Sequence, residues 1–297
     1  MGILNIRDVT RPGARLVVGL TGEQGSGKTL TAIKFGYGLA GNDASKLGFL
    51  DTENGRGRLF SDELPAPFKY AELEAPFSPQ RYIDAIAEFQ KAGVEVLVID
   101  SVSHCWEGIG GCSDIAENNK SKKGQPNWIL AKKEHRRFMN ALLLSPMHII
   151  ACVRAREKVE VKNANGQMAF ISQGVQPIQE KNFWFEVTVG MMLRDAGKKR
   201  EYLKQLPENY APFLAKTEGY LTADDGFALR QWIDGGGHVD QSLDDARNEL
   251  RLIAEGGTES LRTAWPKLAP DVRKALEADP TFMDSIRAAA KENDSNE

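Results

Sequence analysis

The stretch "GLTGEQGSGKTLTAIKFG", residues 19–36, concentrates glycine and then turns at once to Lys28, Thr29 and a helical pattern. Within it, "GEQGSGKT" places Gly22, Gly27, Lys28 and Thr29 in the spacing G-x-x-x-x-G-K-[ST]. Glycines at this spacing let backbone N–H groups turn inward around phosphate oxygens. A helix N-terminus behind the loop adds partial positive charge for the same anion. The cradle so predicted is Gly22, Glu23, Gln24, Gly25, Ser26, Gly27, Lys28, Thr29 and Leu30. Lys28 would reach the β- and γ-phosphates of ATP, and Thr29 would hold Mg²⁺.

A second acid is then required for the metal. "VEVLVID" (94–100) is an apolar run that ends in Asp100, which is read as the partner of Thr29 for Mg²⁺. "LGFLDTENG" (47–55) ends a further apolar run with Asp51 and Glu53, two candidates for orienting an attacking water. His104, Cys105 and Cys112 fit no common zinc spacing and lack a fourth ligand, so reduced structural thiols are expected there.

Those residues need strands and helices to hold them. Strands are predicted at 15–20, 47–51, 68–73, 94–100, 147–153, 183–193 and 200–206, rich in Val, Ile and Leu as in a sheet buried on both faces. Helices are predicted at 28–40, 79–92, 128–144 and 222–233, the last with Thr222 as N-cap. The alternation implies an α/β class with a mainly parallel central sheet flanked by helices. Two stretches without strong pattern, 104–127 and 154–182, follow strand ends, where open parallel sheets place ligands. A core at 1–235, a glycine-rich linker at 236–242 and a small acidic helical domain at 243–297 complete the expected organisation.

The 297-residue chain has a net charge of −3, but the charge is uneven. From His238 onward thirteen Asp and Glu outweigh eight Lys and Arg. Residues 120–137 instead hold seven Lys and Arg against Glu134 alone. Lys120, Lys122 and Lys123 fall in the first patternless stretch, and Arg154, Arg156 and Lys158 in the second. No apolar run approaches the roughly 20 residues that span a bilayer, and a cytoplasmic location without membrane contact is expected.

"TGEQGSGKT", "FLDTENG" and "VLVIDSVSH" together resemble the RecA-like core of recombinases, and most closely the phage ATPases of the RecA-like single-strand annealing type. The resemblance covers about residues 14–235. It implies a RecA-like P-loop NTPase fold, with Glu53 and Lys28 as catalytic residues. It also implies ATP and Mg²⁺ as cofactors, and single-stranded DNA bound by the two long segments, with Lys120, Lys122, Lys123, Arg154, Arg156 and Lys158 as candidate phosphate contacts and Trp106 and Trp128 as candidates for base stacking. A ring or filament of identical subunits, and a single-strand-binding protein or other recombination factor as partner, follow from the same likeness. The location then becomes the host cytoplasm. The chain departs from the family where an Asn-Gln pair ends a strand: Cys152, Val153 and Arg154 stand there, leaving Arg154 or Arg156 as substitutes for a γ-phosphate sensor. A cross-subunit cation is expected among Lys198, Lys199, Arg200 and Lys204. The expected function is a Mg-ATP-dependent recombination protein that anneals or pairs single strands. An ATP-binding annealing scaffold with negligible turnover, and a small-molecule kinase with "RAREK" as its lid, remain as alternatives.

Overall fold

The computed structural model describes residues 13–164, 167–235, 241–254, 256–268, 270–277 and 280–294, with Arg11. Two compact units emerge, Gly13–Ile233 and one made chiefly of Asp234–Glu297. The linker expected at 236–242 lies mostly outside the described residues.

The larger unit is an α/β layer structure. Its strands are β1 (Val17–Gly22), β2 (Leu47–Asp51), β3 (Lys69–Glu72), β4 (Val96–Asp100), β5 (His148–Ala164), β6 (Gln167–Pro177), β7 (Val189–Arg194) and β8 (Lys199–Tyr202). The sheet order is β3-β2-β4-β5-β1-β7-β8, with β6 paired to β5 alone. All pairings among β1 to β5 and between β1 and β7 are parallel, while β5–β6 and β7–β8 are antiparallel.

Strands β1, β2 and β4 are buried along their whole length, so both faces of the sheet are covered. One face buries Val18, Leu20, Val98 and Ile150 under α1 (Lys28–Leu39), which contributes Ile33, Phe35 and Leu39. The other buries Leu97, Ile99, Ile149 and Ala151 with Tyr82 and Ile86 of α2 (Pro79–Lys91). Phe138 and Leu142 of the later helix Trp128–Leu143 lie in the same layer. That later helix is capped by Asn127, whose side-chain oxygen accepts from the Leu130 amide.

Both patternless stretches are structured. The first holds α3 (Ser103–Glu107) and α4 (Cys112–Asn118) before α5 (Trp128–Leu143). The second is a long antiparallel arm made of β5 and β6, with a register shift between Glu157 and Val159. Beyond Arg154, β5 pairs only with β6. The strand expected at 183–193 starts as a helical turn, α6 (Phe183–Glu186), because Phe183 and Trp184 pack back on the sheet.

A short helix α7 (Ala211–Leu214) precedes α8 (Ala223–Asp234). Thr222 caps α8 reciprocally with Asp225: its hydroxyl accepts from the Asp225 amide, and the Asp225 carboxylate accepts from the Thr222 amide. In the smaller unit, α9 (Gln241–Ala254), α10 (Gly257–Ala264), α11 (Pro270–Glu277) and α12 (Pro280–Asp294) bury Leu250, Val272, Leu276 and Ile286. Trp265 and Leu268 pack against that cluster. Among the described residues no helix is long and apolar enough to cross a membrane.

Helices α1 and α8 meet backbone to backbone. A Cβ on Gly38 would lie 1.8 Å from the carbonyl oxygen of Ala223, and one on Gly226 would lie 2.2 Å from that of Phe35. Neither obstacle is a side chain that can swing away. Gly38→Ala should therefore destabilise the larger unit by about 1–3 kcal/mol, read as a lower denaturant midpoint at unchanged slope.

Candidate active site

Strand β1 ends at Gly22 and α1 begins at Lys28, so the glycine loop 22–27 bridges a buried strand and a helix N-terminus. Gly27 has φ +82°, a left-handed conformation that L side chains rarely adopt. A Cβ there would also lie 2.6 Å from the Ala196 carbonyl oxygen. Lys28 curls over the loop: its Nζ donates to the Gly22 and Glu23 carbonyls at 2.8 Å and to Ser26 Oγ at 3.3 Å. Glu23, Gln24 and Gly25 are exposed at the crest and Ser26 is buried. Leu30 sits one residue past Thr29 in α1 and does not line the cavity beside the loop.

That cavity, about 400 Å³, is lined by Lys28, Thr29, Asp51, Glu53, Asp100 and Arg154 among others. Thr29 Oγ1 donates to Asp100 Oδ2 at 2.6 Å, linking the loop helix to β4. Burial pushes the Asp100 carboxyl up to about 6; the Thr29 hydroxyl and Lys28 charge oppose that rise, and the Glu53 and Asp51 charges add to it. Both oxygens are hard donors of the kind Mg²⁺ takes, and Mg²⁺ completes its shell with phosphate oxygens and water. Thr29 and Asp100 therefore fit as its protein ligands.

Asp51 and Glu53 divide their work. The Asp51 carboxylate is buried and accepts from the Glu53 amide (2.6 Å), the Gly57 amide (2.6 Å) and the Tyr70 hydroxyl (2.8 Å). Three of the four acceptor positions of that carboxylate are taken up within the chain, and it shapes the turn. Thr52 fastens the same turn to β4: its amide donates to the Asp100 carbonyl, and its hydroxyl accepts from the Ser101 amide at 2.8 Å. The Thr52 hydroxyl also lies 2.8 Å from His104 Nδ1. Burial pushes His104 below its ordinary value, which favours the neutral ring. Nothing in the sequence marks Thr52 and His104 as supports, beyond their positions beside Glu53 and after Asp100.

Glu53 then projects into the cavity with its Oε2 2.6 Å from a guanidinium nitrogen of Arg154. Arg154, expected on the nucleic-acid side, thus lies in the cavity at the root of the β5–β6 arm. Arg156 and Lys158 are exposed on that arm, Arg156 at 3.2 Å from Glu107. Lys120, Lys122 and Lys123 are exposed between α4 and α5, with Lys120 paired to Glu117 at 2.7 Å.

Other expectations are corrected. Trp106 is half-buried, stacked on Trp128 with ring centres 5.9 Å apart and edge-on to His135, so it is a packing residue. The aromatic most open on the arm is Phe170, 72 % exposed and opposite Val161 in the ladder. Arg200 is buried and donates to the Gly219 and Lys216 carbonyls, and Lys204 donates to the Val187 carbonyl. Both cations are engaged within the chain. Lys198 and Lys199 remain exposed at the β7–β8 turn.

Two outcomes follow for the acids. In the metal-free protein Asp100 stays protonated up to about pH 6. An unfolded Asp ionises near pH 3.9, so this group's contribution to stability should fall as pH rises from about 4 to about 6. Asp100→Asn should abolish that slope and stabilise the metal-free protein by about 2 kcal/mol at neutral pH, measured by urea unfolding across pH. The same substitution should weaken Mg²⁺-dependent nucleotide binding, whereas Glu53→Gln should keep it; equal losses in both would contradict the division of roles.

A family described as AAA domain matches residues 14–203. Among solved structures, a KaiC-like protein from Pyrococcus horikoshii OT3 shares 18% identity over 66% of this chain and 81% of its own, with a TM-score of 0.39. The genome packaging NTPase B204 from Sulfolobus turreted icosahedral virus 2, solved with sulfate, shares 11% identity over 60% of this chain and 74% of its own, with a TM-score of 0.33. No curated protein matches the sequence. The family match spans well over half the chain and takes in the glycine loop, Glu53, Asp100 and Arg154, so this chain belongs to the AAA domain family and has its P-loop ATPase core.

Proposed function

We propose that the chain is a Mg²⁺- and ATP-dependent ATPase of the RecA-like recombination type, which binds single-stranded DNA and promotes annealing or strand pairing. One observation carries the reading: the basic arm is rooted in the nucleotide cavity. Arg154, Ala155 and Ile178, the residues where the arm leaves and returns, line that cavity together with Lys28, Thr29, Glu53 and Asp100. A polyanion held on the arm and a nucleotide held on the loop would share one structural element.

The chain's own groups divide the chemistry. Loop amides and the Lys28 ammonium hold phosphate oxygens. Thr29 and Asp100 hold Mg²⁺, which supplies charge neutralisation on the phosphates when bound. The Glu53 carboxylate, fixed by the Asp51 and Thr52 turn, orients a water for attack on the terminal phosphate. The exposed pairs Lys120–Glu117 and Arg156–Glu107 are worth only about 0–1 kcal/mol each, so both cations can exchange their carboxylates for phosphate at little cost. Phe170 offers an open ring for a base to stack on.

A specific observation also favours the scaffold reading with negligible turnover: Glu53 is tied to Arg154 at 2.6 Å. The kinase alternative took "RAREK" as an Arg-rich lid, and that segment is part of strand β5.

Binding of a labelled oligothymidylate, followed by anisotropy across salt with and without ATP, tests the proposal. Lys28→Ala should lose ATPase activity and any ATP-stimulated DNA binding. Replacing Lys120, Lys122 and Lys123 together by Gln should flatten the slope of log K against log salt by up to about 2 units, at about 0.7 per lost phosphate contact. Arg156→Gln with Lys158→Gln should flatten it by up to about 1.4. No binding at low salt in either nucleotide state would end the DNA reading while leaving the ATPase assignment intact.

A further inference from the structure

A second cavity, of about 490 Å³, shares no lining residue with the nucleotide cavity. One wall is a stripe of α5 that runs from Lys132 to Leu143; the other is the segment from Glu180 through α6 to Glu186. Its floor is apolar. Met139 and Phe183 are buried in the same layer as Tyr82 and Phe138, and Leu143 packs against them. Phe185 stands at the lip, 78% exposed. A concave apolar floor of this size below a few polar groups is the usual anatomy of a binding site.

The charges around that floor are unequal. Glu180 is buried and already served: its carboxylate accepts from the Asn182 amide at 2.6 Å and lies 3.6 Å from Lys132 Nζ. Among the described residues, Arg136, Asn140 and Glu186 on the rim, and Lys133 and Lys181 beside it in the chain, are exposed and have no side-chain partner. Three unpaired cations thus stand against one unpaired carboxylate, and the rim favours an anion. A bare polyanion has no use for the apolar floor, and an apolar ligand has no use for Arg136. The Asn140 carboxamide carries a donor and an acceptor side by side, as a peptide unit does. We propose that this groove binds an extended acidic peptide segment of a partner protein, with an apolar side chain on Met139, Phe183 and Phe185 and a carboxylate at Arg136. Lys132 to Leu143 spans about 17 Å at ~1.5 Å per residue, a length that an extended peptide covers in about five residues. The seat adjoins the returning end of the arm. Gln179, next to Glu180, donates to the Val102 carbonyl at 3.1 Å and lies 3.0 Å from His135 Nε2 in the groove wall.

Anisotropy of labelled peptides titrated with the full chain tests the proposal. The probe is a short peptide of alternating aspartate and leucine. The controls are an aspartate–serine peptide, a lysine–leucine peptide and an oligothymidylate of similar length. The aspartate–leucine peptide should bind at least about tenfold more tightly than either control peptide. Arg136→Glu should weaken it by about tenfold or more, the loss expected for a charged hydrogen bond. Phe185→Ser should weaken it by about fivefold, as an apolar contact is removed. Both residues are exposed, and ATPase activity in the same variants should stay within about twofold.

Absence of binding by the aspartate–leucine peptide, or equal binding to the wild type and both variants, would overturn the inference. So would equal binding of the aspartate–serine peptide, or a loss of oligothymidylate binding in Arg136→Glu with none in Phe185→Ser; either result makes the rim a general polyanion surface. A change in the sedimentation of the chain alone on Arg136→Glu or Phe185→Ser would make a second copy the occupant and overturn the partner reading as well.

Discussion

Everything in the site depends on the registration of parallel strands that end on one edge of the sheet. Asp51 of β2 lies opposite Asp100 of β4, Asp100 opposite Cys152 of β5, and Gly22 of β1 opposite Arg154. Asp51 and Asp100 end their strands at one level, and Gly22 and Arg154 lie two residues beyond it. A slip of one residue in any strand would turn its whole inward set to the opposite face. The buried layers on both sides of the sheet are therefore what hold the acids, the loop and the arginine at hydrogen-bond range.

The same burial loads the site with strain of an electrostatic kind. Asp100 sits in the interior with Asp51 and Glu53 nearby, and its neighbours Thr29 and Lys28 offset that only in part. A divalent cation suits this arrangement because it favours the ionised carboxylate that the protein alone disfavours. The cluster of acids is a cost in the metal-free fold and an asset once charge is supplied.

The parts legible in the sequence were those written in consecutive residues. The glycine loop, the strand-terminal Asp100 and the turn "LDTE" are short-range patterns, and the apolar runs locate their strands to within a few residues. The arm was missed because "RAREKVEVK" carries charge on most positions, and the partners of its alternating Val159 and Val161, Ser172 and Phe170, lie beyond the turn. Helices α3 and α4 are too short for a period to show. Arg154 was open to two readings, a polyanion contact or a substitute γ-phosphate sensor, because its pairing with Glu53 spans a hundred residues of sequence, and Arg200 read as a candidate cross-subunit cation because the carbonyls it serves lie on the segment beyond β8.

Strand β5 is at once the middle of the sheet and one side of the free-standing arm. From Arg154 to Ala164 it extends about 33 Å at ~3.3 Å per residue. It therefore acts as a rod with its fulcrum beside the glycine loop. A tilt of about 5° at that fulcrum displaces the far end by roughly 3 Å over that length. A lever of that length magnifies any change of angle at its root into a larger displacement at its tip. The register shift between Glu157 and Val159 falls within that length.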